Sequence, residues 1–105
     1  MANIIIGTEL KQLVNIQKIG ELTLKDIDFT IEVTNGKKTL TFKKEQCIPE
    51  NGGIDGYKIC YDTAELGLGK IKIRIIADLI DGDFKDGKRR EIDDLDPNIN
   101  VVKGL

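Results

Sequence analysis

The sequence predicts an all-β chain, an antiparallel β-sandwich of about seven short strands. Apolar and polar residues alternate with period two along most of its length, the signature of strands that bury one face. Turn residues separate these stretches at regular spacing, and no segment carries the period of a long helix. Seventeen of the 105 residues are isoleucine, whose β-branched side chain suits a pleated surface. AT-rich codon usage would favour the same residue, along with the thirteen lysines.

The elements follow in order. Ile4, Ile5 and Ile6, closed by Gly7, predict a strand near residues 3–6. Residues 9–16 predict a second, with Leu10, Val14 and Ile16 inward. A helical turn grouping Leu10, Leu13 and Val14 is the alternative, and eight residues are short for a helix. Residues 27–34 read IDFTIEVT, placing Ile27, Phe29, Ile31 and Val33 on one side. Asn35-Gly36, a strong hairpin signal, leads into a partner strand at 38–43 with Leu40 and Phe42 inward. The stretch CIPENGGIDG, rich in Pro and Gly, predicts a loop. Residues 57–61, YKICY, put Tyr57, Ile59 and Tyr61 on one face.

Residues 62–69, DTAELGLG, predict the crossing between two sheets, with a short helical turn at Thr63–Leu66. Residues 70–80 form the longest predicted strand, with Ile71, Ile73, Ile75, Ala77 and Leu79 inward. Residues 88–95, KRREIDDL, predict an edge strand whose charge discourages unwanted pairing. Residues 96–105 are a tail or a short terminal strand. Short strands at this spacing outline an immunoglobulin-like sandwich, one domain over residues 1–105, although the Cys…Trp…Cys core of antibody domains is absent.

Composition excludes much chemistry. The chain has no His, Ser or Trp, so a serine nucleophile, a histidine base and a histidine metal ligand are impossible. Carboxylates, Lys, Tyr and two Cys remain, and no carboxylate pair sits in a context for acid–base work. Cys47 and Cys60 match no zinc spacing. Without an export signal they are expected as reduced thiols, with a bridge open to them if their strands are neighbours. A formal charge of −2 argues against nucleic acid as a partner. The longest apolar-rich stretch is too short to span a bilayer, and no signal peptide begins the chain, so a protein made and kept in a cytoplasm is expected.

The candidate sites are few. DGDFKDG, 81–87, resembles a calcium loop in its acids, but an EF-hand numbered from Asp81 would need an oxygen ligand at Lys85, Gly at Asp86 and Glu at Ile92. A turn between the last two strands is the expected reading, and no metal or other cofactor is assigned. Lys88, Arg89 and Arg90 beside Glu91, Asp93, Asp94 and Asp96 read as a solvated edge. Phe84 is an aromatic at a loop tip, either folded back on the sandwich or held out as an anchor. Ile76 and Ile80 break the polar side of the long strand. Ile4, Ile5 and Ile6 cannot all face one core, and Val101 and Val102 repeat that problem. These eight residues are the candidate interface with another chain, the alternative being that the termini cover the outer face themselves.

Three segments, TNGKKTLTF, YKICYDTAELGLGKIKI and DGDFKDGKRREI, carry a family resemblance over roughly residues 27–92. They resemble short immunoglobulin-like domains in virion proteins of tailed phages of gut Bacteroidetes, crAss-like phages included. They also look like the N-terminal sandwich of phage upper-baseplate proteins. The matching residues are Asp62, Thr63, Leu66, Gly67 and Gly69 in the crossing, and Asp83, Phe84, Asp86, Gly87 and Arg89 in the last hairpin. The resemblance implies a non-enzymatic virion component, made in the host cytoplasm, of a head fibre, capsid decoration or baseplate. It implies homo-oligomerisation and docking to other virion proteins, with no catalytic residue to transfer. A carbohydrate- or cell-surface-binding module is the alternative, against which the lack of Trp and of exposed aromatics counts.

Overall fold

A computed structural model of the chain describes residues 2–15 and 24–105. The inward position expected for Ile16 lies outside them. The chain is all-β, with strands β1 (Ala2–Ile5), β2 (Glu9–Val14), β3 (Asp28–Thr34), β4 (Thr39–Lys43), β5 (Ile48–Pro49), β6 (Tyr57–Asp62), β7 (Gly69–Lys70), β8 (Lys72–Ile80), β9 (Lys88–Leu95) and β10 (Ile99–Val102). One helical turn, α1 (Thr63–Leu66), precedes β7.

Two antiparallel sheets face each other, one ordered β4-β3-β8-β9 and the other β2-β6-β5. The alternation read from the sequence decides what each buries. Phe29, Ile31 and Val33 of β3 and Ile73, Ile75, Ala77 and Leu79 of β8 point inward, against Val14 of β2 and Tyr57, Ile59 and Tyr61 of β6. Burying an isoleucine fully is worth about 1.5–3 kcal/mol, so this one layer supplies most of the drive to fold. The aromatic rings meet across the layer, Phe29 and Tyr57 edge-on with centroids 4.9 Å apart and Phe42 and Tyr61 at 6.3 Å. Lys44 closes one end, its ammonium 5.6 Å over the Phe29 ring while donating to the carbonyls of Ile27 and Lys25. Strand β2 reads as alternation rather than helix: Val14 is buried and Leu13 exposed.

The structure departs from expectation in two places. The segment 47–56 is not all loop, because Ile48 and Pro49 pair with Lys58 and Tyr57 as a third strand of the smaller sheet. Proline suits that position, since an edge strand can spare a donor. The stretch 70–80 is not one strand but bends at the fully buried Ile71 and serves two sheets. Lys70 pairs with Asn100 of β10, Ile71 donates its amide to the Ile99 carbonyl, and only from Lys72 onward does the chain join β3. The residues after 95 hold the short terminal strand expected, β10. Strand β10 lies between β7 and β1 in a third sheet, running parallel to β1. That sheet stands at the β7 end of the sandwich, so the termini pair with each other and not over Ile76 and Ile80.

The hairpin expected at Asn35-Gly36 is present: β3 pairs antiparallel with β4, Thr34 opposite Thr39, leaving a loop at 35–38. Asn35 uses its side chain for two tasks. Its Oδ1 accepts from the amides of Lys37 and Lys38 at 2.9 and 2.7 Å, closing the loop. Its Nδ2 donates to the carbonyls of Leu66 and Leu68 at 2.8 and 3.0 Å, tying the hairpin to the crossing between sheets. Gly67 and Gly69 make room for it: both have positive φ, and a Cβ on Gly67 would lie 3.2 Å from Nδ2.

Substituting Asn35→Ala removes both donors and leaves the two carbonyls unsatisfied. Urea unfolding should show a loss of about 1–3 kcal/mol with an unchanged m-value. A loss confined to a few tenths would mean that water replaces the amide without cost.

Candidate functional site

Apolar side chains meet solvent on the outer face of the larger sheet, as Leu13 and Ile48 do on the smaller one. Strand register places Ile76 of β8 directly opposite Ile92 of β9, with Thr30 of β3 on the other side of Ile76. Ile80 ends β8 on the same face and is 92% exposed, while Ile92 is 55% exposed and Ile76 half-buried. Around them the ribbon is charged and paired. Arg74 grips Asp94 through two hydrogen bonds of 2.7 and 3.0 Å, and Arg90 lies 3.6 Å from Asp78. The hydrogen bonds from Arg74 hold the Asp94 carboxyl below the usual carboxylate range. Lys70, followed by the Asn98 amide, does the same for Asp96. Ile76 and Ile92 thus form a cross-strand apolar pair between charged pairs, and Ile80 stands apart from them beyond Asp78 and Arg90, opposite Lys88.

Of the eight candidate residues, Ile76 and Ile80 lie on this face, and Phe84 stands beyond them in the connecting loop, 49% exposed. The terminal residues are divided by their own pairing. Ile4 opposite Val101 and Ile5 opposite Val102 build the β1–β10 ladder, in which Val101 is 2% exposed and belongs to the core. Ile6 packs partly against that core, Ile4 and Val102 are half-buried, and Ile5 is exposed. The termini and the β8 face are separate surfaces. Sequence reasoning passed over Ile92, read as part of a solvated edge. Its signal was there: alternation puts Arg90, Ile92 and Asp94 on one face, and an isoleucine between two charges is out of place on an edge that only needs solvent.

The DGDFKDG loop is a turn held by its own acids. Asp81 accepts from the Asp83 amide through Oδ1 and faces the Arg89 guanidinium at 3.3 Å through Oδ2, and Arg89 also pairs with Glu91. Backbone bonds from Asp81 to the Gly87 carbonyl and from Gly87 to the Phe84 carbonyl complete it. Among the described residues no three His, Cys, Asp or Glu side chains converge as a metal site. The crossing is built as tightly. Asp62 accepts from the Ala64 amide to cap α1, and the Thr63 hydroxyl, fully buried, donates to the Thr8 carbonyl and accepts from the Gly7 amide. The residues that carry the family resemblance in the crossing are therefore the ones that make its corner.

Cys47 and Cys60 are both free thiols, one buried and one exposed on opposite faces of the smaller sheet. Burial pushes the Cys47 thiol up, aided by Glu45, and its Sγ is bonded to the Lys43 carbonyl. Among the described residues no Lys, Arg, Asp or Glu is buried, and no helix is long and apolar enough to cross a membrane. Comparison of the chain with protein-family models, curated proteins and solved structures finds no match.

Two measurements follow from these environments. A thiol reagent under native conditions should modify Cys60 rapidly and Cys47 only as fast as the chain opens, so two fast equivalents would contradict the burial of Cys47. Burial pushes the Tyr61 phenol up to about 12. The folded state holds that proton more tightly than the unfolded state, so stability is present below the ordinary phenol value near 10 and is lost as pH rises from there through about 12. Denaturant titrations should show this fall, and Tyr61→Phe should reduce it.

Proposed function

We propose that the chain is a non-enzymatic structural component of a virion, an immunoglobulin-like sandwich that acts through contacts with copies of itself and with other particle proteins. The observation that carries this reading is the apolar pair Ile76–Ile92, with Ile80 exposed further along the same face, on the solvent side of a charged ribbon. The charges around them keep the free chain dispersed, and an apolar centre with a charged rim is the anatomy of a protein–protein contact. The strand order supports the immunoglobulin-like assignment, since β4-β3-β8-β9 opposite β2-β6 is the order of a four-stranded C′-C-F-G sheet facing strands B and E. The family resemblance supports the virion setting, as a head-fibre, capsid-decoration or tail-baseplate part made in the host cytoplasm. Neither nucleic acid nor membrane is a partner in this reading, because Arg74 and Arg90 are paired with Asp94 and Asp78 across the ribbon.

Mass spectrometry of purified particles should find the chain in fixed proportion to the major structural proteins. Its presence in infected cells but absence from particles would overturn the reading. Ile80→Asp should fold with stability within about 0.5 kcal/mol of wild type, because the side chain it replaces is almost wholly in solvent, yet be depleted from particles. Undiminished incorporation would remove this face from the contact.

A further inference from the structure

Strand β9 ends its sheet, and among the described residues its only strand neighbour is β8. Eight residues is a long edge to leave unpaired, and charged side chains are a usual guard against indiscriminate pairing on such an edge. Here the charges are instead arranged in two halves. Lys88, Arg89 and Arg90 open the strand, and Asp93 and Asp94 close it, with Asp96 just beyond. A second copy laid parallel would set like charges side by side. A copy laid antiparallel sets opposite charges together, so the pattern repels one orientation and attracts the other.

We infer that β9 pairs antiparallel with β9 of a second copy of this chain, about a two-fold axis at Ile92. This rests on the assembly reading above and names its partner. In that register Ile92 lies opposite Ile92 of the partner subunit, Arg90 opposite Asp94 of the partner subunit, and Lys88 opposite Asp96 of the partner subunit. All of these residues project from the outer face, as period-two alternation requires. The four-stranded sheet becomes one of eight strands, and the apolar pair becomes a continuous row through Ile76 and Ile92 of both copies. The register centred on Glu91 also sets opposite charges together, Lys88 against Asp94 of the partner subunit and Arg89 against Asp93 of the partner subunit. It places Ile92 against Arg90 of the partner subunit, however, and Glu91 against its own equivalent, so the apolar contact is lost. On the inner face Glu91 meets Asp93 of the partner subunit. That contact of like charges is small in effect, because Asp93 is exposed and Glu91 already pairs with Arg89.

The test is a charge exchange read by light scattering from micromolar to millimolar chain. Wild type should rise to twice the chain mass with concentration. Arg90→Asp and Asp94→Arg should each stay at the chain mass, since each sets two like-charged pairs across the axis. An equimolar mixture of the two variants should recover the doubled mass, because every facing pair is again opposite in sign. A wild type that stays at the chain mass throughout would overturn the pairing, with particle content still deciding the assembly reading separately. Single variants that still double would overturn the register. Should either variant fail to fold by circular dichroism, Ile92→Cys in a Cys60→Ala background decides: mild oxidation should link two chains through residue 92, and a doubled mass without that link would overturn the axis.

Discussion

The side-chain amide of Asn35 is the joint on which the arrangement of this protein depends. The two facing sheets are separate ladders, and one of the passages between them is the short crossing that follows β6. Hydrophobic burial pulls the sheets together but is indifferent to direction. Asn35 supplies the direction, fastening the tip of the β3–β4 hairpin to the carbonyls on either side of Gly67. The Thr63 hydroxyl does the corresponding work for the start of the chain, holding the turn between β1 and β2 against α1. Polar groups in such partly buried positions have few alternative partners, and this lends specificity beyond their modest net energies.

This construction leaves the polar residues that look chemical with structural duties. Asp62 caps a helical turn, Asp81 closes a loop and pairs with Arg89, and Asp94 is held by Arg74. A carboxylate that satisfies backbone amides or a neighbouring guanidinium is committed to that geometry. On the β8–β9 ribbon, Ile80 and Ile92 stay exposed, with Phe84 beyond them in the loop.

Much of the fold was legible because its signals are local. The alternation over residues 27–34 and 71–79 named every inward residue of β3 and β8, and DTAELGLG named both the crossing and the helical turn within it. The rest was hidden where a distant segment intervenes. Asn35-Gly36 marked the hairpin correctly, but the carbonyls that hold the Asn35 amide lie more than thirty positions away in sequence. Ile71 belonged to an unbroken run, and the bend there exists because β10 arrives to claim Lys70 and Ile71. Of the candidate contact residues, Ile76 and Ile80 were legible as breaks in a polar face, whereas Ile92 was hidden by the charges beside it.

The sequence by itself determined which side chains are buried, where the chain turns and which chemistries are closed to it, because period, turn propensity and residue inventory act over a few positions. Only the tertiary structure decided that the termini form a sheet of their own, that Val101 belongs to the core, and that Ile92 stands beside Ile76. Those outcomes depend on which strands become neighbours, and pairing across long stretches of chain is settled by the mutual fit of whole faces. No local run of residues encodes that fit.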